Sequence, residues 1–396
     1  MPIATSAAWT KRRVLIMGST AALLLTGCAS AQPAFHHQAA AAKPAAAKPA
    51  VKSANLAAST CTGPAGTAYI AEPGYSAFDA INTSNCEFVQ DYNTDDPQVP
   101  GDSGDYNYSS SPQGVALHDS TLYITDTAQN TVSVIDAATL TKSDYNPAET
   151  HIHVGWDPTG LAVTPDGSQL WVADSGPQTD SRLAGISVIS TSSNTVTATL
   201  PLPAAPQQVA FSPSGTTAYV TTADGLWVFS TATDKAITIV RGLGDLHGVV
   251  VSPDGSKVYV TSTDHNVVDV ISTAGFNRVT SRIRVGDLPW GMALSANGGT
   301  LYVANPDSNQ ISVISTAAGT VSSTLTLSGG PDVLALTSDG SQLWVTGITS
   351  ANVTVISTST GDVVGTTNLG GEGANSGDGN DPSGIVLSTT PISGES

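Results

Sequence analysis

Beyond residue 60, apolar and polar positions alternate in short runs broken by Gly, Pro, Asn and Asp. Ile311-Ser312-Val313-Ile314 and Thr195 to Leu200 show the period of two that predicts half-buried β-strands rather than helices. Apolar runs such as Gly160-Leu161-Ala162-Val163 lead into turns of the Pro-Asp-Gly-Ser type, at Pro165 to Ser168 and Pro253 to Ser256. The next strand carries a recurring motif: an aromatic, a β-branched residue, then two small or polar residues. It reads Tyr69-Ile70-Ala71-Glu72, Tyr123-Ile124-Thr125-Asp126, Trp171-Val172-Ala173-Asp174 and Tyr219-Val220-Thr221-Thr222. It continues as Tyr259-Val260-Thr261-Ser262, Tyr302-Val303-Ala304-Asn305 and Trp344-Val345-Thr346-Gly347. An alternating third strand and a Thr/Val-rich fourth complete each unit as one small antiparallel sheet.

The aromatics stand 54, 48, 48, 40, 43 and 42 residues apart, near the ~40–50 residues of a propeller blade. The first strand keeps a small residue at its centre (Ala116, Ala162, Ala210, Ala293, Ala335), as an innermost strand near a crowded axis requires. The C-terminal Asp381-Pro382-Ser383-Gly384-Ile385-Val386-Leu387 is a first strand with no successor. Thr67 to Ala71, Ser76 to Ile81 and Glu87 to Asp91 are strands two to four with no predecessor. Joined, they make a composite blade that leaves no sheet edge open at the closure. The expectation is an all-β, seven-bladed β-propeller of four-stranded antiparallel blades over residues 61–396. Tyr302-Val303-Ala304-Asn305 and Tyr219-Val220-Thr221 resemble the YVTN-type β-propeller repeat family, and the likeness covers about residues 61 to 390. That resemblance implies the same seven-bladed fold; the family's functions are diverse, so it implies little about chemistry.

The N-terminus follows other rules. Lys11-Arg12-Arg13 precedes the apolar stretch Val14 to Leu25, which is shorter than the ~20 residues a spanning helix needs. It ends in Leu25-Thr26-Gly27-Cys28, which resembles a lipoprotein lipobox, so residues 1–27 read as a signal peptide and Cys28 as the lipidated residue. Residues 28–60 are an Ala/Pro/Lys stalk with nothing to form a core. The expected setting is extracytoplasmic and membrane-anchored, at the cell surface or in the periplasm, with the propeller as a monomer. Six of the 14 basic residues precede residue 59 and none of the 32 acidic ones does, leaving eight bases against 32 acids beyond it. Such a surface repels phosphate backbones and argues against nucleic acid as a partner. With Cys28 taken by the anchor, Cys61 and Cys86 remain, and an even pair in an exported domain is most simply a disulfide. Both positions fall on the face of the Pro-Asp-Gly-Ser turns, so the opposite face should point away from the membrane.

On that opposite face the propeller resemblance places the ligand-type loops. Two rings of residues are expected to line it. One follows the anchor before each first strand: Gln113, Thr159, Gln207, His247, Trp290, Asp332 and Ser383. The other ends each aromatic motif and includes Glu72, Asp126 and Asp174 from three consecutive blades. The connection from Asp91 to Pro112 carries Asp91, Asn93, Asp95 and Asp102 at a spacing that resembles a Ca²⁺ loop of EF-hand type. Asp96 stands where that loop needs Gly, and Asp102 where it has Glu. A second long loop, 370 to 381, carries Asn375, Asp378, Asn380 and Asp381.

Hydrolytic motifs are missing: there is no Gly-x-Ser-x-Gly, no His-Glu-x-x-His and no phosphate-cradling loop. The expectation is a non-catalytic binding or scaffold protein of the cell envelope, recognising a protein, a wall polymer or a small ligand. The alternative is a lactonase-like hydrolase or lyase, with Glu72, Asp126 and Asp174 holding a divalent ion and His247 moving a proton.

Overall fold

The computed structural model describes residues 50–53, 63–72, 77–93, 111–140, 149–177, 181–275, 277–348, 352–369 and 382–392. Cys28, Cys61, Asp95, Asp102 and the loop acids of 370–381 lie outside these.

Seven four-stranded antiparallel sheets form the ring. Blade 1 comprises Pro112–His118, Thr121–Asp126, Thr131–Asp136 and Glu149–His153. Blade 2 comprises Pro158–Val163, Gln169–Asp174, Gly185–Ser190 and Thr195–Pro201. Blade 3 comprises Pro206–Phe211, Thr217–Thr222, Gly225–Ser230 and Lys235–Val240. Blade 4 comprises Leu246–Val251, Lys257–Ser262, Val267–Ser272 and Arg278–Arg284. Blade 5 comprises Met292–Leu294, Thr300–Asn305, Gln310–Ser315 and Thr320–Thr326. Blade 6 comprises Pro331–Leu336, Gln342–Gly347, Asn352–Ser357 and Val363–Asn368. The composite blade joins Gly384–Ser388 to Thr67–Glu72, Ala77–Asn82 and Phe88–Asn93, with Ile385 opposite Ile70 and Val386 opposite Tyr69. First strands touch first strands all the way round, the C-terminal one lying between those of blades 6 and 1. The ring therefore closes through both ends of the chain.

The core explains why the aromatic recurs. Seven apolar clusters fill the seven interfaces between neighbouring blades, and each contains one aromatic of the motif. Tyr123 packs with Leu170, Val172 and Ile189 of the next blade; Trp344 packs with Ala68, Ile70 and Ile385 of the composite blade. All seven aromatics are buried, Trp171 and Trp344 completely. A single blade cannot hide such a ring within its own sheet. Burial against the next blade contributes about 2–3 kcal/mol per side chain, and this makes closure favourable.

The Pro-Asp-Gly-Ser turns are stabilised by their own acid. Asp166 accepts hydrogen bonds from Thr164 Oγ1, Ser168 N and Ser168 Oγ, while Gly167 takes the positive φ of 72° that the turn requires. Those donors hold the Asp166 carboxyl down at about 2, and Asp254 likewise. Part of the acidic excess is thus turn chemistry.

One element lies inside the stretch read as stalk. Ala50–Ser53 runs parallel to Thr320–Thr326 at the outer edge of blade 5, Val51 opposite Thr324.

Candidate binding face at the propeller axis

The residues that begin the first strands converge on the axis, and their backbones form a seam between blades. Thr125 Oγ1 accepts from Gly114 N (2.8 Å) and donates to Thr159 O of blade 2 (2.7 Å). Thr221 Oγ1 accepts from Gln208 N and donates to His247 O of blade 4 at 2.6 Å. Thr261 Oγ1 accepts from Gly248 N and donates to Trp290 O of blade 5 at 2.9 Å. Where the motif has Ala instead of Thr, another donor substitutes. Ser383 Oγ reaches Gln113 O (2.9 Å), Thr159 Oγ1 reaches Gln207 O (3.3 Å), and Gly291 N reaches Asp332 O (3.1 Å). The carbonyls of six of the seven first-ring residues are therefore consumed in holding adjacent blades together.

This seam also accounts for the glycine that follows the ring residue in five blades: Gly114, Gly160, Gly248, Gly291 and Gly384. A Cβ at any of them would run into the ring carbonyl of the next blade. The sequence pattern places Gly160 and Gly384 at strand starts without singling out the other three, and it marks the third motif position only as small or polar. The signal that could have found the seam was the pairing of Thr in one blade with Gly beside it.

Of the ring side chains, the Thr159 and Ser383 hydroxyls are also spent on the seam. Gln113, Thr159, Gln207, Trp290 and Ser383 are half-buried, whereas His247 and Asp332 are buried at 9% and 2% exposure. Close approach of blades 4 and 5 stacks the His247 and Trp290 rings, with centroids 3.6 Å apart and planes 27° off parallel. His247 Nε2 also lies 3.8 Å from Asp245 Oδ2, a partner that the sequence pattern did not single out.

The second ring differs from expectation. Glu72, Asp126, Asp174, Thr222, Ser262 and Asn305 are all buried, at 2% exposure or less, and Gly347 is buried with them. They do not line the face; they lie under its loops. The hairpin after strand two and the connection before strand one meet here, and their backbone donors and acceptors need partners. Asp126 Oδ1 accepts from Ser111 N of the connection and from Ala128 N and Gln129 N of the hairpin. Ser262 Oγ donates to Leu243 O of the connection and lies 3.0 Å from Nδ1 of His265 in the hairpin. Asn305 Nδ2 donates to Val303 O, Gln310 O and Ser312 Oγ. Asp174 Oδ2 accepts from Ser187 Oγ at 2.7 Å, and burial pushes its carboxyl up to about 7 against the pull of the Ser187 and Gly155 donors. These contacts show that the two loop sets share one face. Asp126 and Asp174 are engaged in these contacts, and Glu72 is buried with them.

Asp91 and Asn93 prove to be strand residues, opposite Asp79 and Ala77, not the opening of a loop. His151 and His153 lie in the fourth strand of blade 1, with His151 Nδ1 3.2 Å from Ser133 Oγ. Among the described residues no three His, Cys, Asp or Glu side chains converge as a metal centre requires.

No known family's sequence profile matches the chain, and no curated protein matches it. Solved structures do. Hydrazine synthase of Kuenenia stuttgartiensis is similar at 19% identity and a TM-score of 0.62, over 78% of this chain and 99% of the other. A functionally unknown protein from Desulfotomaculum acetoxidans is similar at 16% identity and 0.65, over 82% and 99%. The β-propeller domain of Myceliophteria thermophila Cps50 (Swd1) is similar at 12% identity and 0.55, over 65% and 85%. At these identities the likeness is one of fold.

Proposed function

We propose that this chain is an exported, lipid-anchored propeller of the YVTN-repeat type that acts as a non-catalytic binding or scaffold protein of the cell envelope. Its axial face recognises a protein, a wall polymer or a small ligand. The observation that carries this reading is the His247–Trp290 stack among the half-buried Gln113, Thr159, Gln207 and Ser383. An aromatic surface flanked by the Gln113 and Gln207 amides suits recognition, since it offers a stacking plane and directional polar contacts. The burial of Glu72, Asp126 and Asp174 beneath the loops weighs against the lactonase-like alternative.

The test is native mass spectrometry of the full chain purified from its own host. A copurified molecule should be retained by the wild type and lost by Trp290→Ala, with melting temperature unchanged. Turnover of a lactone, abolished in His247→Ala, would overturn the non-catalytic reading.

The anchor reading keeps residues 1–27 as signal, Cys28 as the lipidated residue and the membrane as a partner. Labelled palmitate should enter the wild type and not Cys28→Ala. For the Cys61–Cys86 bridge, the support is that Gly63 N donates to Ser84 O and Thr83 Oγ1 donates to Pro64 O. These bonds bring the chain just after Cys61 alongside the turn that holds Cys86, on the face opposite the axial loops. Bound Ca²⁺ is kept for Asp91, Asn93, Asp95 and Asp102. Chelator should lower the melting temperature, and Asp91→Ala with Asp95→Ala should abolish that response.

A further inference from the structure

The repeat serves as its own control, because a residue that breaks its local rule without structural gain marks a place under another constraint. The fourth strand carries a bulge in six of the seven blades, all but blade 1. In blades 2, 4 and 5 the bulged residue is Thr197, Thr280 or Ser322, whose hydroxyl donates to the third-strand carbonyl of Val188, Val270 or Val313. In blade 3 the same position is Ile237, and in blade 6 and the composite blade it is Val364 and Val89, none with a donor to offer; the two valines pack against apolar clusters. Ile237 is 59% exposed, more than any other large hydrophobic residue among those described.

Ile237 lines a cleft of about 450 Å³ between blades 3 and 4, on the face of the Pro-Asp-Gly-Ser turns and opposite the axial site. That volume falls within the roughly 300–1,000 Å³ of small-molecule sites. Pro213, Tyr219 and Val228 add to its apolar side, and the polar side is made by Ser214, Thr216, Thr217, Thr273 and Asn277 with the Asp254 carboxylate. Hydroxyls, an amide and an ionised carboxylate beside an apolar side match a sugar or polyol, which presents hydroxyls at its edge and C–H groups on its face.

Charge adds a second, independent observation. Six of the eight basic residues beyond residue 59 fall between positions 235 and 284. Strand register places three of them at the cleft's end of their blades. Lys235 is abreast of Ser230 and Thr217 in blade 3, while Lys257 and Arg278 are abreast of Ser272 in blade 4. Lys235 and Arg278 are exposed, and Arg278 directly follows the cleft residue Asn277. The corresponding turns of blades 1, 2 and 6 carry Asp119, Asp166 and Asp339, and no base is described in them. Three cations clustered on an otherwise acidic disc create a local attraction for anions.

We propose that this cleft binds an anionic oligosaccharide, a short sugar or polyol chain bearing carboxylate or phosphate groups. Ile237 packs against the ring or chain carbons, the hydroxyls and Asp254 hold its hydroxyls, and Lys235, Lys257 and Arg278 face its charges. The reading is independent of the axial site.

Fluorescence anisotropy with labelled trigalacturonate, a glycerol-phosphate trimer and neutral maltotriose, at 50 and 300 mM salt, tests it on the purified full-length protein. At least one of the two anionic probes should bind at low salt and weaken at high salt, and maltotriose should not bind. Which anion binds separates carboxylate from phosphate recognition. Lys235→Ser with Arg278→Ser should weaken binding at least tenfold and flatten the salt dependence. Ile237→Thr installs the hydroxyl that blades 2, 4 and 5 use, so it should fold normally yet bind at least fivefold more weakly. Failure of both anionic probes at low salt would overturn the proposal, as would equal binding of maltotriose or wild-type affinity in both variants. Loss of binding in Trp290→Ala but not in these variants would overturn it too, by moving the site to the axial face.

Discussion

Asp174 offers a quantitative test of how the loops are held. Its carboxyl is 1% exposed at the end of strand two of blade 2, and burial raises it to about 7. Between the ordinary carboxylate range and that value, the folded chain keeps a proton that the unfolded chain has released. Stability from this site is therefore undiminished below pH 4, falls as the pH rises through 7, and stays lost above it. Raising the carboxyl from its ordinary range to about 7 corresponds to roughly 4 kcal/mol at pH 8. The molecule contains the remedy. Blade 5 has Asn305 at the same position, Ser312 in place of Ser187 and Gly286 in place of Gly155, and the two N–H groups of the Asn305 amide have three acceptors within reach. By strand register the carbonyls that would receive such an amide in blade 2 are those of Val172 and Gly185. Asp174→Asn should therefore raise the melting temperature by several degrees at pH 8, with the gain shrinking to about zero at pH 4. Differential scanning calorimetry of both proteins at half-unit pH steps reads this directly, and the difference between them cancels every other titrating group. A gain that stays constant from pH 4 to 8, or a variant less stable throughout, would refute the reasoning.

Two further predictions address the seam. Thr221→Val keeps shape but leaves Gln208 N and His247 O without their shared partner, so chemical denaturation should show a loss of about 2–3 kcal/mol. Gly291→Ala drives a methyl group into the Asp332 carbonyl of the next blade. It should destabilise by several kcal/mol despite being a gain in ordinary chain rigidity, whereas Gly275→Ala, in open space on the turn face, should cost far less.

The fold was legible in the sequence because its rule is local and repeated. An aromatic every 40 to 54 residues, a period of two and a small residue in the first strand each reflect one blade's need to cover its neighbour. The composite blade followed from counting strands at the two ends, and Ile385 does lie opposite Ile70. The predicted first ring also falls together, since its members start equivalent strands.

What each ring residue does was decided by tertiary structure. Asp126 and Asp174 read as exposed carboxylates because a polar residue at a strand end usually meets water. The preceding connection folds over them, and the unpaired backbone groups of that loop and of the hairpin become their partners. Likewise Thr221 becomes a stitch and Gly248 a clearance only when the backbone of the following blade arrives beside them. The alternation of apolar and polar residues encodes which side of a sheet is dry. Which polar group then meets a neighbour's carbonyl and which meets solvent depends on the distance between blades, and that distance exists only once the ring has closed.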